Sequence, residues 1–133
     1  MKKFDINYLK EYLSANICPI LIENTPSNLF DNAVILNNNC DINELNGRYE
    51  GINFLPPKWY EKLLENSKRG ISLLIIENLN YLPLKEQSKF NEILKYRKIS
   101  TFKLPSNCRI IVSCNDINNY PICSDVYSLV AHI

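Results

Sequence analysis

The segment from Ile71 to Glu77, ISLLIIE, constrains the fold of this chain more than any other. It is almost continuously apolar and rich in isoleucine, so a strand formed here must bury both of its faces. Strands of that kind occur in parallel sheets that are covered by helices on both sides. The segment therefore predicts a central strand of a parallel sheet.

Other segments follow the same pattern at intervals along the chain. Short apolar runs predict further strands: CPILIE (18–23), AVIL (33–36), CRIIVSCN (108–115) and, as a candidate last strand, VYSLVAHI (126–133). Amphipathic or capped segments predict helices: Ile6 to about Ala15, with Asp5 as its cap and Phe4 and Leu9 as a hydrophobic staple, then Pro57 to about Ser67, and Leu84 to Lys98. The polar, turn-rich stretch from Cys40 to Pro57 is predicted to be a long loop.

Strands that alternate with helices indicate an α/β fold, here a three-layer parallel sheet with flanking helices. A length of 133 residues fits one domain, 1–133, at the usual ~100–200 residues per domain. The net charge of +1 provides no general attraction to nucleic acid or membranes. No apolar run approaches the ~18 residues of a membrane span, and the N-terminus alternates polar and apolar residues. We therefore expect a cytoplasmic protein with no membrane partner.

The cysteines point to a reducing compartment and to no metal site. There are five of them, an odd number, and no two form a C-x-x-C pair, so neither a disulfide framework nor a zinc site is predicted. Cys18 and Cys114 lie in or beside apolar runs, where a free cysteine is typically a small buried hydrophobe. The single histidine, His132, has apolar neighbours and is predicted to be packed.

A set of signals in fixed order resembles a known family. Pro56-Pro57 opens a helix, Gly70 precedes the apolar strand, and Leu79-Asn80 follows its acidic end. Then come a P-x-x-x-Q motif (83–87), Leu104-Pro105 before the next strand, and Asn115 at the end of that strand. Over residues 45–133 the chain resembles an AAA+ ATPase core, closest to the MoxR-like, dynein-related group of ATP-binding proteins. The resemblance implies a truncated P-loop NTPase core.

The resemblance also implies roles for three residues. In the family the Walker B strand ends in Asp-Glu, where the Asp holds magnesium through water and the Glu polarises the attacking water. Glu77 and Asn78 occupy these positions, and Asn115 matches the sensor asparagine. Glu77 is therefore a candidate for weak magnesium binding, whereas the amide of Asn78 cannot accept a proton from water. The alternative is that these residues have structural roles only: Glu77 is a solvent-facing carboxylate at a strand end, and Asn115 and Asp116 form an ordinary turn.

The chain departs from the family wherever phosphate chemistry is expected. It contains no Gly-Lys pair, so the phosphate-binding motif G-x-x-x-x-G-K-[ST] is absent. Leu129 stands where the family has the arginine that reaches a neighbouring nucleotide, and the chain ends where the family continues into its helical lid. We therefore predict no enzyme activity and no resident cofactor.

The missing phosphate loop and its helix have a structural consequence. In the family the first two strands are parallel but not neighbours, so their connection crosses one face of the sheet. Nine residues, Asn24 to Asn32, can span ~30 Å but cannot cover that face. Either the N-terminal helix covers it, with Leu9, Tyr12 and Leu13 inward, or another chain does. A homodimer through the uncovered face is the favoured expectation.

Two functions remain open at this point. The favoured one is a catalytically inactive AAA+-like interaction or regulatory module that binds itself or an active ATPase. The alternative is a protein that binds ATP and magnesium weakly with little or no hydrolysis. Binding to nucleic acid through KYRK (95–98) and nearby lysines is not predicted, because such charges suit a helix C-terminus and a solvated face.

Overall fold

A computed structural model describes residues 6–15, 17–26, 30–40 and 45–133. The cap at Asp5 and the staple partner Phe4 lie outside the described residues. The helices are α1 (Ile6–Ala15), α2 (Lys58–Ser67), α3 (Asn91–Tyr96) and α4 (Ser124–Tyr127), with 3₁₀ helices at Leu79–Tyr81 and Leu84–Phe90. The strands are β1 (Ile20–Glu23), β2 (Val34–Asn37), β3 (Arg48–Glu50), β4 (Asn53–Leu55), β5 (Ser72–Glu77), β6 (Lys98–Ile99), β7 (Phe102–Lys103), β8 (Cys108–Cys114) and β9 (Ala131–His132).

Five strands form one parallel sheet in the order β2-β5-β8-β1-β9. This confirms an α/β fold with a parallel sheet and flanking helices, and β5 is paired on both sides as its apolar sequence requires. β1 and β2 are separated by β8 and β5. In the two common doubly wound orders the first strand instead pairs with the second. The connection from β1 to β2 therefore has to cross the sheet.

Helices α2, α3 and α4 cover one face of this sheet. Alternate strand residues point towards them, because successive side chains in a strand face opposite ways. The sheet residues of this larger core cluster are Leu21, Val34, Leu36, Leu74, Ile76, Cys108, Ile110, Val112 and Cys114. They pack with fully buried helix residues such as Leu63, Phe90 and Ile93. The larger half of the core is therefore a conventional sheet–helix interface.

The opposite face is covered by α1. Leu9 and Leu13 are 2% and 3% exposed and pack in a second cluster with sheet residues Ile20, Ile22, Ile75 and Ile111 and with Phe30 of the β1–β2 connection. Tyr12 is half-buried beside them. The expectation of an open sheet face was therefore wrong over this region. A segment of the same chain covers this face instead, since α1 supplies the apolar cover together with Phe30 of the connection.

A buried arginine holds α1 in place. The Nε of Arg109, on β8, donates to the carbonyl oxygen of Leu13 over 2.6 Å, and Arg109 is 9% exposed. That carbonyl belongs to the last turn of α1, where carbonyl groups lack helical partners. A cation there also complements the negative end of the helix dipole. Arg109 therefore both satisfies the helix end and fixes it against the sheet.

Two antiparallel hairpins lie outside the main sheet and were not predicted. β3–β4 occupies part of the expected long loop, and β6–β7 follows α3. Their rings stack: Phe54 and Phe102 lie 5.5 Å apart between centroids, and Phe102 also contacts Tyr60 of α2. Gly47 has φ +106°, and a Cβ there would collide with the carbonyl oxygen of Leu55. Only glycine fits at this entry to the first hairpin.

The segment Leu84 to Lys98 is not one α-helix as predicted. It forms a 3₁₀ helix over Leu84–Phe90 and an α-helix over Asn91–Tyr96. The helix ends at Arg97, which adopts a left-handed conformation with φ 55°. A guanidinium nitrogen of Arg97 donates to the carbonyl oxygens of Pro105 and Cys108 at 3.0 and 2.7 Å. These contacts hold the chain in the turn that ends the helix at Arg97. The sequence pattern alone favours a continuous helix because it does not show such long-range contacts.

We expect Leu13→Ala to destabilise the protein by about 2–5 kcal/mol, the usual range for a buried leucine. Leu13 is 3% exposed and forms the contact between α1 and the sheet. Urea unfolding monitored by circular dichroism measures the change. Lys10→Ala, at an exposed position of the same helix, is the matched control and should change stability by less than about 0.5 kcal/mol. Equal effects of the two substitutions would show that α1 does not cover the sheet.

Candidate functional site

The three predicted site residues lie at the carboxyl ends of neighbouring strands. Glu77 ends β5, Asn78 follows it, and Asn115 follows β8. Parallel register places Glu77 beside Ser113. The structure brings Asn78 and Asn115 into direct contact: Nδ2 of Asn115 donates to Oδ1 of Asn78 over 2.8 Å. The two amides therefore form one unit.

Asn78 joins three strands through its remaining polar atoms. Its backbone N–H donates to the carbonyl oxygen of Ser113 on β8 over 2.7 Å. Its own carbonyl oxygen accepts from Nδ2 of Asn38, which follows β2, over 2.9 Å, and from the N–H of Tyr81 over 3.0 Å. Asn78 has φ 55°, a left-handed conformation that asparagine tolerates far better than most residues. Asparagine at this position is therefore explained by structure.

Buried amides extend the network behind Asn78 and Asn115. Asn80 is 2% exposed, and its Nδ2 donates to the carbonyl oxygens of Asn115 and Tyr120 at 2.7 and 2.9 Å. Gln87 is fully buried; its Nε2 donates to the carbonyl oxygens of Leu82 and Pro121, and its Oε1 accepts from the N–H of Cys123. These amides tie the loops after β5 and β8 together. The sequence signal was present, since Asn80 and Gln87 belong to the motifs that carry the family resemblance.

Glu77 is half-buried and pairs in register with Asn37 of β2. Among the described residues there is no group of three or more His, Cys, Asp or Glu side chains that could hold a metal ion. Magnesium usually needs only one or two carboxylates when phosphate oxygens and water complete its shell. A magnesium ion at Glu77 would therefore depend on a phosphate ligand, and weak magnesium binding there stays a prediction.

In the described residues up to Pro26, the polar groups at the end of β1 bond to the sheet. The N–H of Asn24 donates to the carbonyl oxygen of Cys114 over 2.8 Å, which extends the sheet ladder by one residue. The hydroxyl of Thr25 donates to the carbonyl oxygen of Glu23, and the hydroxyl of Ser113 donates to the carbonyl oxygen of Thr25. Polar groups here are used to tie β1 to β8.

His132 is not the packed histidine that its neighbours in the sequence suggested. Its side chain is 34% exposed, and its Nε2 lies 2.7 Å from Oε2 of Glu23. Its Nδ1 lies 2.9 Å from the hydroxyl oxygen of Tyr127. This chain of contacts links β9 to the end of β1 and to α4. Because β9 is only two residues long, these side chains anchor the edge of the sheet.

The cysteines of β8 are not nucleophiles. Burial raises the pKa of Cys108 and of Cys114 from its usual value near 9 to about 11. At neutral pH both thiols are therefore protonated, and only thiolates attack readily. The prediction that Cys114 is a core residue is confirmed, since it is fully buried. Cys18, predicted to be buried as well, is exposed, because β1 begins two residues later at Ile20.

Comparisons with known proteins add no assignment. No protein-family model matches the chain, and none of the curated proteins is similar to it. None of the helices in the described part of the chain combines the length and apolar character needed to cross a membrane. The function of the chain is therefore inferred from the local geometry of the strand ends.

We expect Asn78→Ala to destabilise the protein by about 1 kcal/mol more than Asn78→Gly. Both substitutions remove the hydrogen bond from Asn115. Only alanine is also destabilised by the left-handed backbone, which costs an ordinary L-residue ~1–2 kcal/mol. Glycine adopts the left-handed conformation without that strain. Its greater conformational freedom in the unfolded chain offsets part of this advantage. Thermal and urea unfolding of the two variants give the comparison. An alanine variant as stable as the glycine variant would contradict the left-handed conformation.

We expect stability to fall as the pH rises from about 9 to about 11, with a contribution from the two buried thiols. In that range Cys108 and Cys114 ionise in the unfolded chain while they stay protonated in the folded chain. The unfolded state then binds fewer protons, so the free energy of unfolding decreases with pH. Urea unfolding at several pH values under reducing conditions measures this slope. In the double variant Cys108→Ala and Cys114→Ala the slope should be shallower; an unchanged slope would contradict the raised pKa values.

Proposed function

We propose that the protein is a catalytically inactive AAA+-like interaction or regulatory module that acts on itself or on an active ATPase. The observation that carries the proposal is the hydrogen bond between the amides of Asn78 and Asn115. These are the positions at which the family would activate and position water. Here they bind each other, and neither carries a group that accepts a proton at neutral pH.

The backbone at Asn78 supports the same conclusion. A glutamate at this position would have to adopt φ near 55°, which is unfavourable for a long side chain. It would also lose the bond from Asn115. Restoring the carboxylate would therefore require a change of backbone as well as of side chain. The loss of the catalytic group is built into the local structure and is not a single-residue difference.

The arrangement of the sheet supports an AAA+-like core as its origin. In the family the first and second strands are parallel and not neighbours, and β1 and β2 have that relation. Glu77 and Asn115 end adjacent strands, as the family's Walker B and sensor residues would. The buried Asn80 and Gln87 also lie in the motifs on which the resemblance depends.

The phosphate side of the family's site has no counterpart in this chain. The connection after β1 lacks the Gly-Lys pair, and Glu23 at the strand end carries negative charge. Most contacts to the phosphates of a nucleotide come from such a loop and its lysine. We therefore expect neither hydrolysis nor tight nucleotide binding, so that the remaining role is contact with another protein.

A phosphate-release assay with ATP and magnesium should show no turnover above background, and calorimetric titration should show no micromolar affinity. Glu77→Ala should leave both results unchanged, as should Glu65→Ala, an exposed carboxylate on α2 that serves as control. Turnover that is abolished by Glu77→Ala and retained in Glu65→Ala would overturn the proposal. Micromolar binding without turnover, lost in the same selective way, would establish the weak ATP–magnesium protein instead.

A further inference from the structure

A group of basic residues lies at the end of α3 and in the hairpin β6–β7. The sequence pattern assigns these charges to a helix C-terminus, but the helix ends at Tyr96, and the basic residue in its last turn is Lys95. Lys98 lies beyond the helix end and begins β6. The guanidinium of Arg97 bonds two backbone carbonyl oxygens of the following segment. The helix dipole therefore accounts for Lys95 but not for Lys98.

Lys98 and Lys103 face each other across the hairpin. They are partners in the antiparallel register of β6 and β7. The N–H of Leu104 donates to the carbonyl oxygen of Arg97 over 2.8 Å, so the adjacent pair, Lys98 with Lys103, is of the non-hydrogen-bonded kind. Opposed side chains lie closest in such pairs, and like charges there are destabilising. The hairpin therefore holds two ammonium groups together at a cost in stability.

No carboxylate pairs with the opposed lysines in the part of the chain that the structure describes. Glu92 reaches the hairpin, but its carboxylate accepts from the backbone N–H of Ser100 over 2.7 Å. The segment 84–103 contains six basic and two acidic residues, whereas the rest of the chain contains nine basic and twelve acidic ones. The net charge of +1 therefore averages over one basic region and a more acidic remainder.

An exposed aromatic ring accompanies these lysines. Tyr96 is 62% exposed, and Nζ of Lys95 lies 5.3 Å from the centroid of its ring. Ile99, which follows Lys98 in β6, is 1% exposed, so the opposed lysines lie on the outer face of the hairpin. We call Lys95, Tyr96, Lys98 and Lys103 the basic turn. Basic side chains combined with an exposed aromatic ring are typical of sites that bind single-stranded nucleic acid.

We propose that the basic turn binds single-stranded nucleic acid. Its three lysines contact phosphates, and the ring of Tyr96 stacks on a base, which any nucleotide sequence offers. A bound phosphate removes the repulsion between Lys98 and Lys103, so the ligand relieves an unfavourable feature of the free hairpin. A carboxylate-rich protein segment would match the charges but would not use the exposed ring. This function is additional to the proposed interaction role and does not depend on it.

Fluorescence anisotropy with a labelled oligothymidylate of about twelve nucleotides measures the binding. Three lysine–phosphate contacts predict that the logarithm of the association constant falls with the logarithm of the salt concentration with a slope of about −2. The double variant Lys98→Thr and Lys103→Thr should bind at least about tenfold more weakly, with a slope of about −0.7. Its thermal midpoint should not fall, because threonine suits a strand and the opposed charges are gone.

The matched control is the double variant Lys62→Ala and Lys68→Ala, which removes two exposed lysines at α2 and should bind like the wild type. Tyr96→Ala separates base stacking from charge. It should bind at least about fivefold more weakly, the lower end of the usual effect of losing one stacked base, with an unchanged salt slope. Polyglutamate of the same charge, and inorganic phosphate at the same ionic strength, should not displace the oligonucleotide at matched concentration.

Four results would overturn the proposal: no binding, an equal loss of affinity in the control variant, unchanged affinity in Tyr96→Ala, or equal displacement by polyglutamate or inorganic phosphate. Displacement by polyglutamate would assign the basic turn to an acidic protein partner instead. None of these measurements involves ATP or magnesium, so failure here is distinct from failure of the proposed function.

Discussion

A parallel sheet whose strands are apolar on both faces cannot remain folded unless both faces are covered, and the rest of this structure depends on how that requirement is met. The connection from β1 to β2 runs only from Asn24 to Ala33. The N-terminal helix α1 covers the second face, with Leu9 and Leu13 against Ile75 and Ile111. Arg109 then fixes the helix by bonding the carbonyl oxygen of Leu13. Both faces of the sheet are therefore covered by helices of the same chain.

The carboxyl ends of β5 and β8 are joined by side-chain amides. These amides bond each other and the neighbouring loops. Asn78, which follows β5, contacts residues after β2 and β8, and Asn80 is buried behind it. Here most of the hydrogen-bonding capacity of Asn78 is already used within the fold.

The parts of the fold that follow from local pattern were predictable. ISLLIIE and CRIIVSCN become the strands β5 and β8, and α2, at Lys58–Ser67, lies within one residue of the predicted helix from Pro57 to about Ser67. That Asn78 and Asn115 lie at the same edge of the sheet is also consistent with their positions directly after two predicted strands. Features that depend on long-range contacts did not follow. The three-residue strands of the β3–β4 hairpin are too short for a period-two pattern, and the contact of His132 with Glu23 spans 109 positions.

The most direct test of the account is whether ATP reaches the amide pair. In a nuclear magnetic resonance titration of the ¹⁵N-labelled protein with ATP and magnesium, the side-chain amide signals of Asn78 and Asn115 report on the environment of this pair. If the strand ends serve as a structural joint, neither signal will shift as the nucleotide is raised to millimolar concentration. A saturable shift of both signals, lost in Glu77→Ala, would show that the strand ends still bind nucleotide and would contradict the account.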